Sequence, residues 1–263
     1  IVHGCMDAGL EAFFGYPITP ATTILEMLAA RLPIQGGRVL QTEDEIAAIS
    51  AAIGAGYAGA RAATATSGPG LALMTEMLGL GVMAEVPVVI FVSQRGGPST
   101  GMPTKTEQSD LNLAVYGGSG DAKRIVLAPT NVEGCYRCAG RAFELAEQYQ
   151  TPVIVLLDLY LSNRLESVGG LGKTRFVPNL SKGLAARDAG EGYQRFTITD
   201  DWISPRAIPG EPGGIHTVTG LEHNQLGRPK DTPEIHQLMS EKRHRKLEPA
   251  IRHADLSTYK RFG

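Results

Sequence analysis

The sequence predicts an α/β fold, a doubly wound parallel sheet with helices on both faces, followed by a C-terminal extension. Three observations predict it. PVVIFVS (87–93) and PVIVLL (152–157) are unbroken apolar runs of strand length, the mark of strands buried on both faces. Helix-like segments alternate with strand-like ones up to about residue 163, which implies parallel strands between helical layers. The strand Ala62 to Thr66 breaks at Ser67-Gly68-Pro69-Gly70, a glycine turn into a helix. In such folds ligands gather at the carboxyl ends of the strands, where that turn lies.

The elements follow in order. Val2 to Phe14 reads as a helix ending at Gly15, and Tyr16-Pro17-Ile18-Thr19-Pro20 as an extended loop. Thr19 and Pro20 read as the N-cap and first residue of a helix running to about Leu32. A strand at Arg38 to Gln41 comes next. Thr42 with Glu45 fits a capping box, making Glu43 the first helical residue. Small residues run through that helix to Ala60, and after the Ala62 strand a helix spans Gly70 to about Ala84. Beyond the 87–93 strand come a polar glycine-rich loop and a helix, Glu107 to Val115, with Thr104 and Glu107 as its capping box. Arg124 to Leu127 and Pro152 to Leu157 are further strands, and Asn131 to Gln148 is an amphipathic helix capped by Thr130 and Glu133.

After about Asn163 the composition changes. The segment 169–263 lacks buried apolar strand runs and is rich in Gly, Pro and charge, so 164–263 reads as an extension that contacts partners. TRFVPN, RFTITDDWIS and GGIHTVTG read as exposed strands or arms, and Pro233 to Leu247 as a polar helix. The last 23 residues carry seven Lys/Arg against three acids, a pattern of a solvated helix face rather than a nucleic-acid site.

Composition narrows the function classes. A net charge of −2 gives no global argument for nucleic acid or a membrane surface. No apolar run approaches the roughly 18 residues of a membrane span, and no signal peptide is visible. Three cysteines, an odd and sparse count, point to a reducing, cytoplasmic setting. Cys135 and Cys138 form a CxxC, but both fall on the apolar face of one helix, with no second CxxC and no histidine pair nearby. Core packing explains them, and no metal is expected on this chain.

Chemistry should sit at the strand ends. Glu43 either complements a helix dipole or faces the glycine turn; the local pattern allows both. Thr19 reads first as a helix cap, and as a hydroxyl at an anion-binding helix end second. Arg95 follows a buried strand, where its planar fork suits a carboxylate or phosphate as well as solvent. SGPG is not a Walker loop, since no Gly-Lys-Ser/Thr follows.

Taken together, GYPITP (15–20), QTEDE (41–45), ATATSGPG (63–70) and QRGGPSTGMPTKTEQSDL (94–111) resemble the α subunit of 2-oxoacid:ferredoxin oxidoreductases, the 2-oxoglutarate type most closely. The likeness continues through DDWISPRAIPG, TGLEHNQLG and KRHRK, so it covers nearly the whole chain. It implies that residues 1–163 form a thiamine diphosphate pyrimidine-binding domain, and that Glu43 hydrogen-bonds N1′ of the cofactor's aminopyrimidine. It further implies that Arg95 and Thr19 hold the 2-oxoacid, with Thr100, Thr104 and Lys105 in the same loop and Tyr16, Ser67 and Gly68 walling the pocket. The implied activity is oxidative decarboxylation of a 2-oxoacid to an acyl-coenzyme A, with electrons passed to ferredoxin.

What the sequence lacks completes the expectation. There is no GDG…N diphosphate and Mg²⁺ motif and no cysteine set for an iron–sulfur cluster. In the resembled family Mg²⁺ and the [4Fe-4S] cluster lie on a β subunit, so the chain is expected to work only in an α2β2 or larger assembly. It also reads as part of a longer subunit with a further transketolase-C-like domain. A thiamine-dependent decarboxylase or synthase without ferredoxin, and a non-catalytic scaffold subunit, are the alternatives.

Overall fold

The computed structural model describes residues 1–169, 171 and 192–252. Its centre is a six-stranded sheet in the order β2-β1-β3-β4-β6-β5, every neighbouring pair parallel. The strands are β1 (Ala12–Gly15), β2 (Arg38–Gln41), β3 (Ala62–Thr66), β4 (Val88–Gln94), β5 (Ile125–Leu127) and β6 (Pro152–Asp158). The helices are α1 (Val2–Asp7), α2 (Thr22–Arg31), α3 (Glu45–Tyr57), α4 (Gly68–Leu73), α5 (Thr75–Met83), α6 (Leu111–Tyr116), α7 (Val132–Tyr149), α8 (Leu159–Asn163), α9 (Pro233–Arg245) and α10 (Glu248–Arg252).

The doubly wound α/β fold is the one the sequence predicts, and β4 shows why. All seven of its residues are buried. Val89 and Phe91 join Phe13, Leu28 and Phe143 in the core under α1, α2 and α7. Val88, Ile90 and Val92 join Ile49, Leu71 and Leu78 in the core under α3, α4 and α5. Two-residue periodicity sends alternate side chains to opposite faces, so both faces must be apolar. Cys135 is buried on α7, and Cys138 packs against the first core. Burial, with Cys135 close by, pushes the Cys138 thiol up to about 11.

Several local expectations differ. The first helix stops at Asp7, because Gly9 turns the chain with φ 77°, and Ala12–Gly15 is strand β1 rather than helix. A short AFFG segment carries no period of its own; its place between β2 and β3 decides its state. Helix α2 begins at Thr22, with Ala21 as N-cap, so Thr19 caps nothing. Three capping boxes shift as well. Asp44, not Thr42, caps α3 by accepting from Ala47 N at 2.7 Å. Asn131, not Thr130, caps α7 by accepting from Gly134 N at 2.7 Å. The helix expected from Glu107 starts only at Leu111, while the Glu107 carboxylate accepts from Gly97 N. In each case a shorter side chain or a loop contact takes the donor first.

The C-terminal part departs most. RFTITDDWIS and GGIHTVTG are neither strands nor arms; they form irregular chain in which Arg195, Phe196 and Ser204 are buried. TRFVPN and the basic residues beyond 252 lie outside the described residues. Helix α9 is not a solvated basic face, for Lys242 and Arg243 are buried, and so is Lys246 just past its end. Lys242 Nζ meets both Glu85 carboxylate oxygens at 2.6 and 2.7 Å. Lys246 Nζ adds Glu85 Oε2 and the Gln150 carbonyl, each at 2.9 Å. Arg195 donates to the Glu85 carbonyl at 2.7 Å, and Arg206 pairs with Glu147 at 3.0 Å. Glu85 just precedes β4 and Gln150 just precedes β6. The extension therefore seals the amino-terminal end of the sheet and leaves the carboxyl end open.

This latch carries a pH signature. Burial alone would push Glu85 up, but Lys242, Lys246 and Arg195 pull it well below its ordinary 4.5. A carboxyl lowered on folding contributes stability that is complete above its unfolded pKa and is lost as pH falls. Denaturant midpoints should therefore drop on acidification below about pH 4.5, and more gently in a Glu85→Gln variant. Equal slopes in the two proteins would contradict the latch.

Candidate active site

The sheet order reverses between β1 and β3, which places a crevice beyond their carboxyl ends. Three loops meet there: Tyr16 to Ala21 after β1, Ser67-Gly68-Pro69-Gly70 after β3, and Arg95 to Asp110 after β4. A cavity of about 470 Å³ opens between the last two, with Gly68, Pro69, Arg95, Ser99, Glu107 and Asp110 in its wall.

The glycine turn separates two acidic groups. On one side Glu45, the first residue of α3, is buried with 6% exposure. A Cβ on Gly70 would collide with Thr66 Oγ1 and fall 2.8 Å from Glu45 Oε1, so glycine is required for the turn to close over this carboxylate. Among the described residues none hydrogen-bonds the Glu45 carboxylate. Glu43, two residues earlier, lies before the helix with its side chain exposed. The carboxylate that faces the glycine turn is thus Glu45, not Glu43. The misplaced capping box hid it: with Asp44 as N-cap, Glu45 becomes the residue whose side chain turns inward.

On the other side, Gly68 touches Asp110. A Cβ there would fall 2.6 Å from Asp110 Oδ2, which is itself shielded from water and without a hydrogen-bond partner. Gln94, the last residue of β4, fixes the Asp110 backbone by accepting its N–H at 2.9 Å. Ser67 is fully buried as the N-cap of α4, with its Oγ also unpartnered.

Arg95 spans the crevice. Its Nη1 donates to the Thr19 carbonyl at 2.7 Å and its Nη2 to the Thr100 carbonyl at 2.8 Å, while Nε is buried and unpartnered. It is 6% exposed, and among the described residues no carboxylate pairs with it. A buried guanidinium held only by neutral carbonyls keeps its charge available to an anion. Thr19 and Thr100 thus join the site through backbone carbonyls, with their side chains exposed. Tyr16 stands half-exposed at the end of β1. Thr104 and Lys105 are exposed on the loop, and the Lys105 carbonyl accepts from Gly96 N at 2.9 Å.

A parallel doubly wound domain with a glycine turn between a buried carboxylate and an arginine-lined cavity has the build of a cofactor-binding half-site. Residues 3–241 match the family described as pyruvate flavodoxin/ferredoxin oxidoreductase, thiamine diphosphate-binding, and the chain belongs to that family. It is 40% identical over 257 residues to the 2-oxoglutarate synthase subunit KorA of Methanothermobacter thermautotrophicus, covering 96% of this chain and 65% of that one. It is 42% identical over 244 residues to the 2-oxoglutarate oxidoreductase subunit KorA of Mycobacterium tuberculosis, covering 92% of this chain and 37% of that one. Among solved structures, a 2-oxoglutarate:ferredoxin oxidoreductase from Magnetococcus marinus, with 2-oxoglutarate, coenzyme A and succinyl-CoA bound, superposes with a TM-score of 0.88 at 45% identity. That superposition covers 99% of this chain and 44% of the other. The chain therefore spans between 37% and 65% of the length of these relatives.

Proposed function

We propose that the chain is the pyrimidine-binding part of the α subunit of a 2-oxoacid:ferredoxin oxidoreductase. The reaction is oxidative decarboxylation of 2-oxoglutarate to succinyl-coenzyme A and carbon dioxide, with the electrons passed to ferredoxin. The observation that carries the proposal is the buried Arg95, without an ion pair among the described residues, in a cavity walled by the same glycine turn that covers Glu45. The likeness to relatives and a neighbour that handle 2-oxoglutarate supports the choice of substrate.

The residues fit thiamine diphosphate. Glycine at 70 lets the turn close on Glu45, whose carboxylate, without a hydrogen-bond partner among the described residues, is free to bind the ring nitrogen of an aminopyrimidine. When bound, the cofactor supplies the carbon nucleophile and electron sink that decarboxylation of a 2-oxoacid requires. Glu45 holds the ring nitrogen and biases its protonation, while Ser67, Gly68 and Tyr16 wall the site. Glu43, exposed two residues upstream, takes no part in it. Arg95, fixed by the Thr19 and Thr100 carbonyls, orients the substrate carboxylate, with Thr104 and Lys105 further out on the same loop.

The rest of the machinery lies elsewhere in the proposal. Mg²⁺, the diphosphate half of the cofactor site and a [4Fe-4S] cluster belong to a β subunit, in a cytoplasmic α2β2 or larger assembly that meets ferredoxin and coenzyme A. Residues 164–263 that do not seal the sheet contact that partner.

Purifying the chain with its partner subunit tests this reading. The complex should contain iron and should reduce a viologen dye with 2-oxoglutarate and coenzyme A, and less well with pyruvate. A colourless complex that turns over 2-oxoacids without an electron acceptor would replace it with a non-redox decarboxylase. Arg95→Lys should raise KM for the 2-oxoacid about tenfold to a hundredfold, the scale of hydrogen bonds to charged groups at about 1.5–3 kcal/mol. An unchanged KM would remove Arg95 from the substrate site.

A further inference from the structure

Asp110 has no place in the scheme so far, yet it faces the same cavity. Its carboxyl lies against Gly68, and Oδ2 is shielded from water and accepts no hydrogen bond. Its backbone N–H is spent on Gln94, so no donor from its own turn reaches that oxygen. An ionised carboxylate in this position keeps one oxygen shielded and without a donor, a cost that a bound proton relieves.

The groups that face it come from its own loop, α4 and α6. From its own loop it faces Glu107, whose Oε2 is already held by Gly97 N. From the same loop Arg95 lines the cavity, and its positive charge favours the ionised form until an anion neutralises it. From α4 it meets Gly68, Pro69 and Ala72, and from α6 Leu113, none of which titrates. Burial, then the charge of Glu107, raises the Asp110 carboxyl above its ordinary range.

We infer that Asp110 is a binding residue whose carboxyl takes up a proton when an anion binds beside Arg95. The inference rests on the proposed 2-oxoacid site. An added negative charge in the cavity raises the affinity of Asp110 for its proton, and by linkage the proton strengthens binding of the anion. The ligand then meets a neutral carboxyl rather than a second repelling carboxylate.

The test is calorimetric titration of 2-oxoglutarate into the assembled complex across pH, in buffers of different ionisation enthalpy. The wild-type complex should take up protons on binding, and its affinity should fall by up to about tenfold per pH unit on the alkaline side. Asp110→Asn, which mimics the neutral acid, should bind without proton uptake and with a flat pH profile. Glu107→Gln, which removes the charge that raises Asp110, should move the alkaline fall to lower pH. A pH profile shared by wild type and Asp110→Asn, or a flat wild-type profile, overturns the inference and leaves the substrate reading standing. Failure of both 2-oxoglutarate and pyruvate to bind at any pH overturns the two together.

Discussion

Replacing Glu45 by glutamine in the assembled enzyme is expected to lower kcat by about 10²–10⁴, the range for loss of acid–base assistance. Glutamine keeps the shape of the side chain but cannot draw a proton onto a ring nitrogen. Packing should survive, because the close approach over Gly70 involves a side chain of the same volume. Glu43→Gln, on the exposed residue before the helix, should change turnover by no more than about twofold, as surface substitutions do. The pair discriminates between the acid that the sequence singles out and the acid that the fold buries. A large loss in Glu43→Gln with near-normal Glu45→Gln would return the role to Glu43.

The largest effect on stability is expected from Glu85→Gln. Glu85 is 1% exposed, carries two buried lysines and lies in the left-handed region with φ 51°. Removing its charge leaves Lys242 and Lys246 buried beside Arg195 with no carboxylate, a loss of about 3–5 kcal/mol for a broken buried pair. For a chain of this size that corresponds to a fall in Tm of about 6–20 °C by thermal unfolding. A combined Glu85→Leu, Lys242→Met, Lys246→Met variant removes every charge at the pair and should recover most of the loss, since apolar replacements of whole buried ion pairs are often neutral or better. If Glu85→Gln leaves Tm unchanged, the ion cluster does not hold the extension to the sheet.

The contrast between these two residues shows what the sequence carries and what it hides. The strands β4 and β6 were legible because a strand buried on both faces carries an unbroken apolar run, VVIFV in one and PVIVLL in the other, and β3 because it breaks at the glycine turn. The glycine turn and Arg95 were legible because each follows such a strand at its carboxyl end. Strand β1 was not, since four residues paired on both sides need no pattern of their own. Glu45 was missed by a two-residue error in the cap: Thr42 and Asp44 both precede it, and only folding shows that Asp44 takes the Ala47 N–H. The basic stretch of α9 read as a solvated surface because Lys242 and Lys246 meet Glu85, which lies 157 and 161 residues away in the chain. Local patterns report local contacts, and a charge neutralised from that distance has no local sign.

The central claim is that the glycine turn and Glu45 form this chain's half of a thiamine diphosphate site. Its most direct test is the rate of hydrogen–deuterium exchange at the thiazolium C2 of cofactor bound to the complex, followed by NMR after acid quench. The account predicts fast exchange in the wild-type and Glu43→Gln complexes, and exchange slowed by about 10²–10⁴ in Glu45→Gln. Wild-type exchange rates in Glu45→Gln, with the cofactor shown to be bound, would contradict it.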